Sequence, residues 1–591
     1  MRSTSNKGNV FVAIRRGTLG AVLVAVLSIV LGSGCDKSPW FGKPDKKSTS
    51  DADRQQELAR KTAPLPGTVG SACYFEGLQG RVVQGYGLVM GLGDKGSSQC
   101  PAQVRDLIVE SLQKNRDPNN PLNDTEAGRS IQAMIDSTDT AAVWVSGIIP
   151  PGALPGESFD VVVRALPDTG TISLEGGWLA ECDLRIVAGE KNAKSRLLAR
   201  AAGPVSIDPF QKRPEKELLA IRREGFILGG GVNLEPRTLS LFMRQPSYPQ
   251  ARAIEQKINS VFGTGSESGA RPARAKTAGR IDLHIPSDYT DNKPYFLKLV
   301  ENLCIRSDPA YIEQQARNLT QEITGPSCNA EAISYAWETM GRAILPLIQP
   351  LYNHSNTQTA FYAARAGAAL GDSLATDRLG EFATKGDSEY RQKAIKQLGF
   401  CRQTVARRIL RSFLDEENTE LRLLAYEGLA RNQDNAVTSE TVGNKSFLLH
   451  VVSSKERPMV YVTRSNRPKI VLFGNISIVP PVFYCASDDS TIISADSGAT
   501  ELSVIHTPAS SKLSMQGKGP LGLADLLRLL GGSSEAKDKK AAGMGLAYSQ
   551  IMAILSDLCE KGPIRAKFQL EKMADLPDRS EASLGRPEQD E

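Results

Sequence analysis

Residues 82–93 read Val82-Val83-Gln84-Gly85-Tyr86-Gly87-Leu88-Val89-Met90-Gly91-Leu92-Gly93. The apolar runs favour extended chain, and the glycines interrupt them, so the stretch reads as a short strand ending in a glycine turn. Pro101 then opens a helical pattern, with Val104, Leu107, Ile108 and Leu112 in helical spacing and proline at a favourable first-turn position. In that context Gly91-Leu92-Gly93-Asp94-Lys95-Gly96 matches G-x-G-x-x-G. A dinucleotide site would also need a train of βαβ units and an acidic residue ending a second parallel strand. The downstream pattern is hairpin-like instead, which favours a turn whose glycines supply positive φ.

Working outward, the chain from Gly67 to about Gly263 keeps this strand-and-turn character. Ala141 to Ser146 has a buried-strand pattern. Phe159 to Ala165 is a second strand, Leu166 to Gly170 a turn, and Thr171 to Leu174 a returning strand, together a hairpin. Leu239 to Met243 reads as a strand and Tyr248 to Phe262 as a helix with Ala251, Ile254 and Ile258 on one face. A Gly/Ser/Ala/Arg linker follows, then a strand at Ile281 to Ile285 and a short helix at Tyr295 to Leu303.

Between about Asp308 and Gln433 strand signals fade, and alanine and leucine recur at helical spacing. Tyr362 to Gly371, Tyr390 to Gly399 and Leu421 to Ala430 look alike, with Ala366, Ala394 and Ala425 in one equivalent position and Leu370, Leu398 and Leu429 in another. A period near 30 with small residues inside each helix points to stacked helix pairs similar to HEAT-type repeats; an irregular helical bundle is the alternative. After Gly443 strands return at Phe447 to Val452, Met459 to Thr463, Ile470 to Leu472 and Ile476 to Val479. Amphipathic helices at Leu521 to Leu530 and Leu546 to Leu558 and a strand at Ile564 to Leu570 close the folded part.

The first residues read as an export signal. Arg2, Lys7, Arg15 and Arg16 precede an uncharged run from Gly17 to Gly34, and Gly32-Ser33-Gly34 lead to Cys35. A spanning anchor is the alternative, for which the run is near the lower length limit and ends in glycine. The small residues before Cys35 resemble a bacterial lipobox, whose thiol takes a lipid. Gly32 stands where leucine is usual, with Leu31 one position further back. Asp36 follows, then a polar tether to Gly67.

A net charge of +5 on 591 residues is too small to argue for nucleic acid. The cysteines are dispersed without a C-x-x-C pair, which gives no zinc or thioredoxin motif; Cys73 and Cys100 are a candidate disulfide in an exported chain. His284, His354, His450 and His506 have no metal-ligand spacing. Glu157 with Asp160, or Glu175 with Glu181, are the carboxylate pairs open to a glycan-hydrolase reading, although a solvated face is the simpler use for each. No G-x-S-x-G, H-E-x-x-H or P-loop occurs.

Gln84 to Leu92 is similar to the G-Y-G-L-V-x-G-L signature of the bacterial flagellar P-ring protein family. Further similarities follow in order: Ala141 to Val145, Leu154-Pro155-Gly156, Asp160 to Val163, Ser173 to Leu179, Gly203 to Ser206 and Gly229 to Val232. The resemblance stops near Cys304. It resumes at Ile470 to Pro481, Leu523 to Leu527 and Ile551 to Leu555, and ends at Gly562 and Ala566. The signature positions it carries over as structural are Gly85, Tyr86, Gly87, Leu88, Gly91, Gly93, Gly156, Asp160, Gly176 and Gly177.

The resemblance implies strand-rich ring-forming domains; the all-α repeat-like segment inserted in them departs from the family pattern, and together they give an α+β expectation. The expected divisions are a signal and lipobox cysteine at 1–35, a polar tether at 36–66 and a family-like β-rich region at 67–305. A helical insertion at 306–440, a family-like C-terminal region at 441–573 and a loose tail at 574–591 complete them. The implied role is a structural subunit of the periplasmic basal-body P ring, with no catalytic residue, cofactor or metal. The implied partners are other copies of the chain, the flagellar rod, peptidoglycan and the outer-membrane ring subunit, but no nucleic acid; the lipobox-like Cys35, where the family has a plain cleaved signal, adds a membrane through a lipid. A non-flagellar periplasmic lipoprotein scaffold is the first alternative and an envelope glycan hydrolase the second. The helical insertion is expected to project and to offer a concave surface to another envelope component.

Overall fold

A computed structural model describes residues 62–114, 131–186, 196–210, 222–263, 271–325, 328–443, 447–455, 457–486, 490–508, 513–532 and 543–572. The export signal, Cys35, the tether up to residue 61 and the tail at 574–591 lie outside them.

The strand-rich half begins with β1 (Cys73–Glu76) and β2 (Arg81–Met90). The helices α1 (Ala102–Lys114) and α2 (Ile131–Ile135) follow, then β3 (Ala141–Ile149), β4 (Ser158–Ala165), β5 (Trp178–Ile186), β6 (Leu197–Pro204) and β7 (Glu224–Asn233). Strands β2 to β7 close into a barrel in the order β2-β3-β4-β7-β6-β5, and β5 pairs back onto β2. Alternate residues such as Val83, Val143, Val145, Val161, Val163 and Leu184 fill its interior, as the period of two requires. Outside, α1 and α2 cover Leu88, Met90, Ala142 and Ala180.

The expected strand at Thr171 to Leu174 is not formed. The partner edge of β4 is taken by β7. The segment's N–H groups go instead to Lys95 O, from Ile172 and Ser173, and to Arg222 O, from Leu174. The Leu174 side chain enters the barrel core.

Next come β8 (Leu239–Met243), α3 (Tyr248–Phe262), β9 (Ala273–Ala275), β10 (Arg280–Leu283) and α4 (Lys293–Glu301). A sheet of order β1-β8-β10-β9 packs against α3 and α4. Ser247 caps α3 by accepting the Gln250 N–H, and proline occupies its first turn. Cys73 lies in this core with its sulfur 3.3 Å from the Met243 sulfur. Cys100 lies beside a different core, under α1, and both thiols are free. The candidate disulfide between them is therefore corrected.

The helices α5 (Pro309–Glu322), α6 (Ala330–Met340), α7 (Thr357–Ala369), α8 (Ser373–Lys385), α9 (Ser388–Leu398), α10 (Thr404–Ser412) and α11 (Thr419–Arg431) then stack in two layers. One layer runs α6-α7-α9-α11, and α8 and α10 lie behind it. Ala366, Ala394 and Ala425 are fully buried in α7, α9 and α11. Gly399 and Gly428 meet backbone to backbone, where a Cβ on Gly428 would sit 2.7 Å from the Gly399 Cα. Small residues here set the helix spacing.

The stack packs against its neighbours on both sides. Its core continues into Val452, Met459, Tyr461, Val471 and Phe473 of the next sheet and takes in Leu65. At its other side Tyr295 of α4 stacks on Phe400, with ring centroids 5.7 Å apart.

The last part holds β11 (Val437–Val442), β12 (Phe447–Val452), β13 (Met459–Val462), β14 (Lys469–Phe473), β15 (Val482–Cys485), β16 (Thr491–Ala495), β17 (Glu501–His506), β18 (Met515–Pro520), α12 (Leu523–Gly531), α13 (Tyr548–Glu560) and β19 (Lys567–Leu570). A mixed sheet of order β11-β12-β14-β13-β19 and an antiparallel sheet of order β15-β16-β17-β18 share a core with α12 and α13. The expected strand at Ile476 to Val479 makes only isolated bridges, Ser477 to Gly522 and Ile478 to Ile564, because it crosses between the sheets. No helix among the described residues is long and apolar enough to cross a membrane.

Candidate functional site

Strand β2 explains its glycines through what lies against it. A Cβ on Gly85 would overlap the Asp183 carbonyl oxygen of β5. On Gly87 it would come within 2.9 Å of Leu179 and 3.2 Å of the Cys182 sulfur. The β2–β5 pairing shifts register between Gln84 and Val89, so the backbones cross where the glycines stand. Tyr86 and Leu88 point outward beneath the α1 layer.

The turn after β2 is closed by backbone hydrogen bonds. Gly91 and Gly93 have φ of +78° and +61°. The Leu92 N–H donates to Asp139 O at 2.9 Å, and the Gly93 N–H to the Asp139 carboxylate at 2.6 Å. The Gly96 and Ser97 N–H groups donate to Thr138 O and Thr140 O. A phosphate cradle needs free N–H donors. These are consumed, so the glycine-turn reading holds over the dinucleotide one. Gly176 and Gly177 form the tight turn into β5, where a Cβ on Gly177 would meet Leu92 at 2.6 Å.

Asp160 has a different task. One of its carboxylate oxygens accepts the Gly229 N–H at 2.7 Å, from the bulge in β7. The other accepts the Asn466 N–H at 2.7 Å, from the turn between β13 and β14. Burial pushes this carboxyl above its ordinary value, against the pull of both donors. A second pair, Arg464 with Asp208, crosses the same joint. Asp160 thus fastens the barrel to the C-terminal sheet. Beside it the Gly156 N–H donates to Asn233 O at 2.7 Å, and Glu157 accepts the Leu154 N–H and pairs with Lys293 of α4. Glu181 pairs with Arg200 at 3.2 Å. Of the carboxylates open to glycan chemistry, Glu157, Asp160 and Glu181 are thus engaged in holding strands and turns.

A third cluster joins the strand-rich half to the stack. Arg365 of α7, only 4% exposed, pairs with Glu338 of α6 at 2.8 Å and donates to the Ser334 hydroxyl at 2.6 Å. Its guanidinium lies 4.0 Å from the Tyr335 ring centroid. Burial works against its charge, but Glu338, with Tyr295 and Tyr335 adding to it, holds the group above its ordinary value. The Tyr295 hydroxyl also binds Glu338. Burial first, and that carboxylate second, keep Tyr295 protonated far above the usual phenol range.

The sequence reading had named Asp160, Gly156 and Glu157, but not Asn466, Arg464, Asp208, Lys293 or Arg365. The polar turn Arg464-Ser465-Asn466-Arg467-Pro468 between two apolar runs was the available signal for the joint. Arg365 inside an alanine-rich helical face was the signal for the third cluster. Among the described residues no group of three or more His, Cys, Asp or Glu side chains is arranged to hold a metal.

Residues 69–317 match the family model described as flagellar P-ring protein. Over those residues the chain is similar to that family. A flagellar P-ring protein of Thermotoga maritima is 28% identical over 261 residues, covering 42% of this chain and 70% of that protein. That of Pseudothermotoga lettingae is 26% identical over 265 residues, 42% of this chain and 69% of the relative. That of Nitratidesulfovibrio vulgaris is 25% identical over 276 residues, 44% and 67%. The P-ring family match takes in β1 to α4, hence the whole barrel, the sheet beside it and the first signature strand, and it ends inside α5.

Proposed function

We propose that the protein is a structural subunit of the flagellar basal-body P ring, located in the periplasmic envelope. The observation that carries this is the family match over a barrel whose signature residues close and brace the fold. Ring assembly needs one surface to meet a different surface on the next copy, with a rotation that closes. It needs no catalytic group; Glu157, Asp160 and Glu181 hold strand, turn and joint contacts.

Residues 441–573 are proposed as the continuation of the family unit. About a third of each named relative lies outside the matched part, and Ile470 to Pro481, Leu523 to Leu527 and Ile551 to Leu555 keep the resemblance. The ring would surround the rod, with peptidoglycan and the outer-membrane ring subunit as neighbours. A lipid on Cys35 would confine subunits to a membrane surface and raise their effective concentration before assembly.

Imaging of basal bodies from a strain with a tagged copy tests the assignment. Density for the tag at the ring, with motility lost on deletion, is expected. A tag found elsewhere in the envelope overturns it. Replacing Cys35 with serine should release the protein from membranes without changing its fold.

A further inference from the structure

An open groove of about 470 Å³ lies between α3 and the segment at 305–308 that leads into α5. Helix α3 contributes Gln256, Lys257 and Ser260; the opposite wall contributes Ile305, Arg306 and Asp308. Asp308 is already used, since its carboxylate caps α5 by accepting the Tyr311 N–H at 3.1 Å. The Arg306 guanidinium sits 4.4 Å from the Tyr311 ring centroid, which holds it in place on the rim. Among the described residues neither Lys257 nor Arg306 has an ion-pair partner, while nearby Glu255 and Glu301 pair with Arg252 and Lys298. The groove therefore combines two cations without an ion-pair partner, the capping carboxylate of Asp308, polar side chains and a small apolar surface at Ala253 and Ile305, with an excess of positive charge. That chemistry fits an extended, carboxylate-bearing peptide.

The same chain carries such a peptide. Residues 574–591 contain Asp575, Asp578, Glu581, Glu588, Asp590 and Glu591 against Arg579 and Arg586 alone. The described chain leads into this segment at Lys572, which pairs with Glu420 of α11. Eighteen residues fully extended reach about 60 Å, which permits a groove on the same copy or on the next. We propose that the groove between α3 and residues 305–308 binds the acidic segment 574–591. Docking of either kind needs no assembled ring, so the proposal can fail or hold apart from the P-ring assignment.

The test uses the full chain with the six carboxylates of 574–591 changed to Asn or Gln, and a labelled synthetic peptide of the native 574–591 sequence. The peptide should bind, and should bind the unaltered chain several-fold more weakly because the native segment competes. Lys257→Gln with Arg306→Gln should weaken binding by about fivefold or more, as loss of two exposed charge pairs implies. Arg306 is exposed, so Arg306→Gln alone provides a variant whose unchanged melting temperature excludes misfolding. No binding, or equal binding to the double variant, overturns the groove. An unrelated peptide of equal charge that binds as tightly overturns the segment as its occupant.

Discussion

The barrel at 81–233 and the helical stack at 309–431 are closed by different parts of the chain. In the barrel the backbone does it: each strand has two hydrogen-bonded neighbours and no edge is left. Its distinctive residues are glycines that make room for main chain, as Gly85 does for Asp183. In the stack side chains do it, through buried alanines and the Arg365–Glu338 pair. Main chain can yield little to an added atom, whereas side chains can shift. The difference bears on ancestry as well. The match to flagellar P-ring proteins covers the barrel and ends in the first helix of the stack.

One matched pair of substitutions can break this contrast. Gly85→Ala sets a methyl against a carbonyl oxygen in a crossing of two strands, and is expected to cost upward of about 4 kcal/mol. Gly367→Ala in α7 meets the Tyr352 hydroxyl at the end of a side chain first and the Ala375 Cβ of α8 at 2.7 Å, but no main-chain atom as close. It should cost about 1–3 kcal/mol, partly through the lost Tyr352–Asp372 hydrogen bond of 2.9 Å. Chemical denaturation of both variants measures the gap. Equal losses would show that the stack is as intolerant as the barrel.

Next in size is Arg365→Leu. It leaves Glu338 facing the Tyr295 hydroxyl without its cation, and breaking such a buried pair costs about 3–5 kcal/mol. The loss should be local at first. Trp337, fully buried in α6, should report it by fluorescence at lower denaturant than amide exchange in β2 to β7. Simultaneous loss in barrel and stack would mean that the two regions unfold as one.

Much of the barrel's beginning was legible because its signals are local. Ala141 to Val145 is an unbroken apolar run of strand length, and beyond the barrel Tyr248 to Phe262 carries its own cap, proline and apolar stripe. Strands β15 to β18 were missed because they are short and broken by Ser, Asp and Gly, so their only apolar signal is the inward face. Thr171 to Leu174 was misread because its sequence favours a strand, while the neighbouring edge already belonged to β7. The joint at Asp160 joins residues about 300 positions apart, and no local pattern can announce such a partner. The stack's docking on both sides was hidden for the same reason.

That joint gives the third prediction. Asp160→Ala leaves the Gly229 and Asn466 N–H groups without their acceptor, and should cost about 2 kcal/mol. Asp160→Asn keeps one acceptor oxygen and should cost about half as much. Hydrogen exchange should quicken at both amides in each variant. Unchanged exchange at Asn466 would mean that the carboxylate does not fasten the barrel to the C-terminal sheet.

The smallest effect concerns the other edge of the stack. His450 of β12 is buried between Tyr426 of α11 and Ser439 of β11, whose hydroxyls lie 2.8 and 2.9 Å from its two ring nitrogens. Burial, with Lys469 adding to it, lowers this imidazole from 6.5 to about 4. The folded protein therefore holds it neutral at pH values where the unfolded chain already protonates it. Its contribution is complete above pH 6.5 and is lost as pH falls toward 4. Between pH 6.5 and 5.5 the unfolding free energy should drop by at most about 1.4 kcal/mol from this group. His450→Gln should remove that slope while lowering stability at neutral pH. The barrel contains no histidine, so amide protection relative to the intrinsic exchange rate should stay constant in β2 to β7 across the same interval while protection in α11 and β12 falls. A slope that survives in His450→Gln would place the titrating group elsewhere, and acid-sensitive exchange confined to the barrel would reverse the comparison.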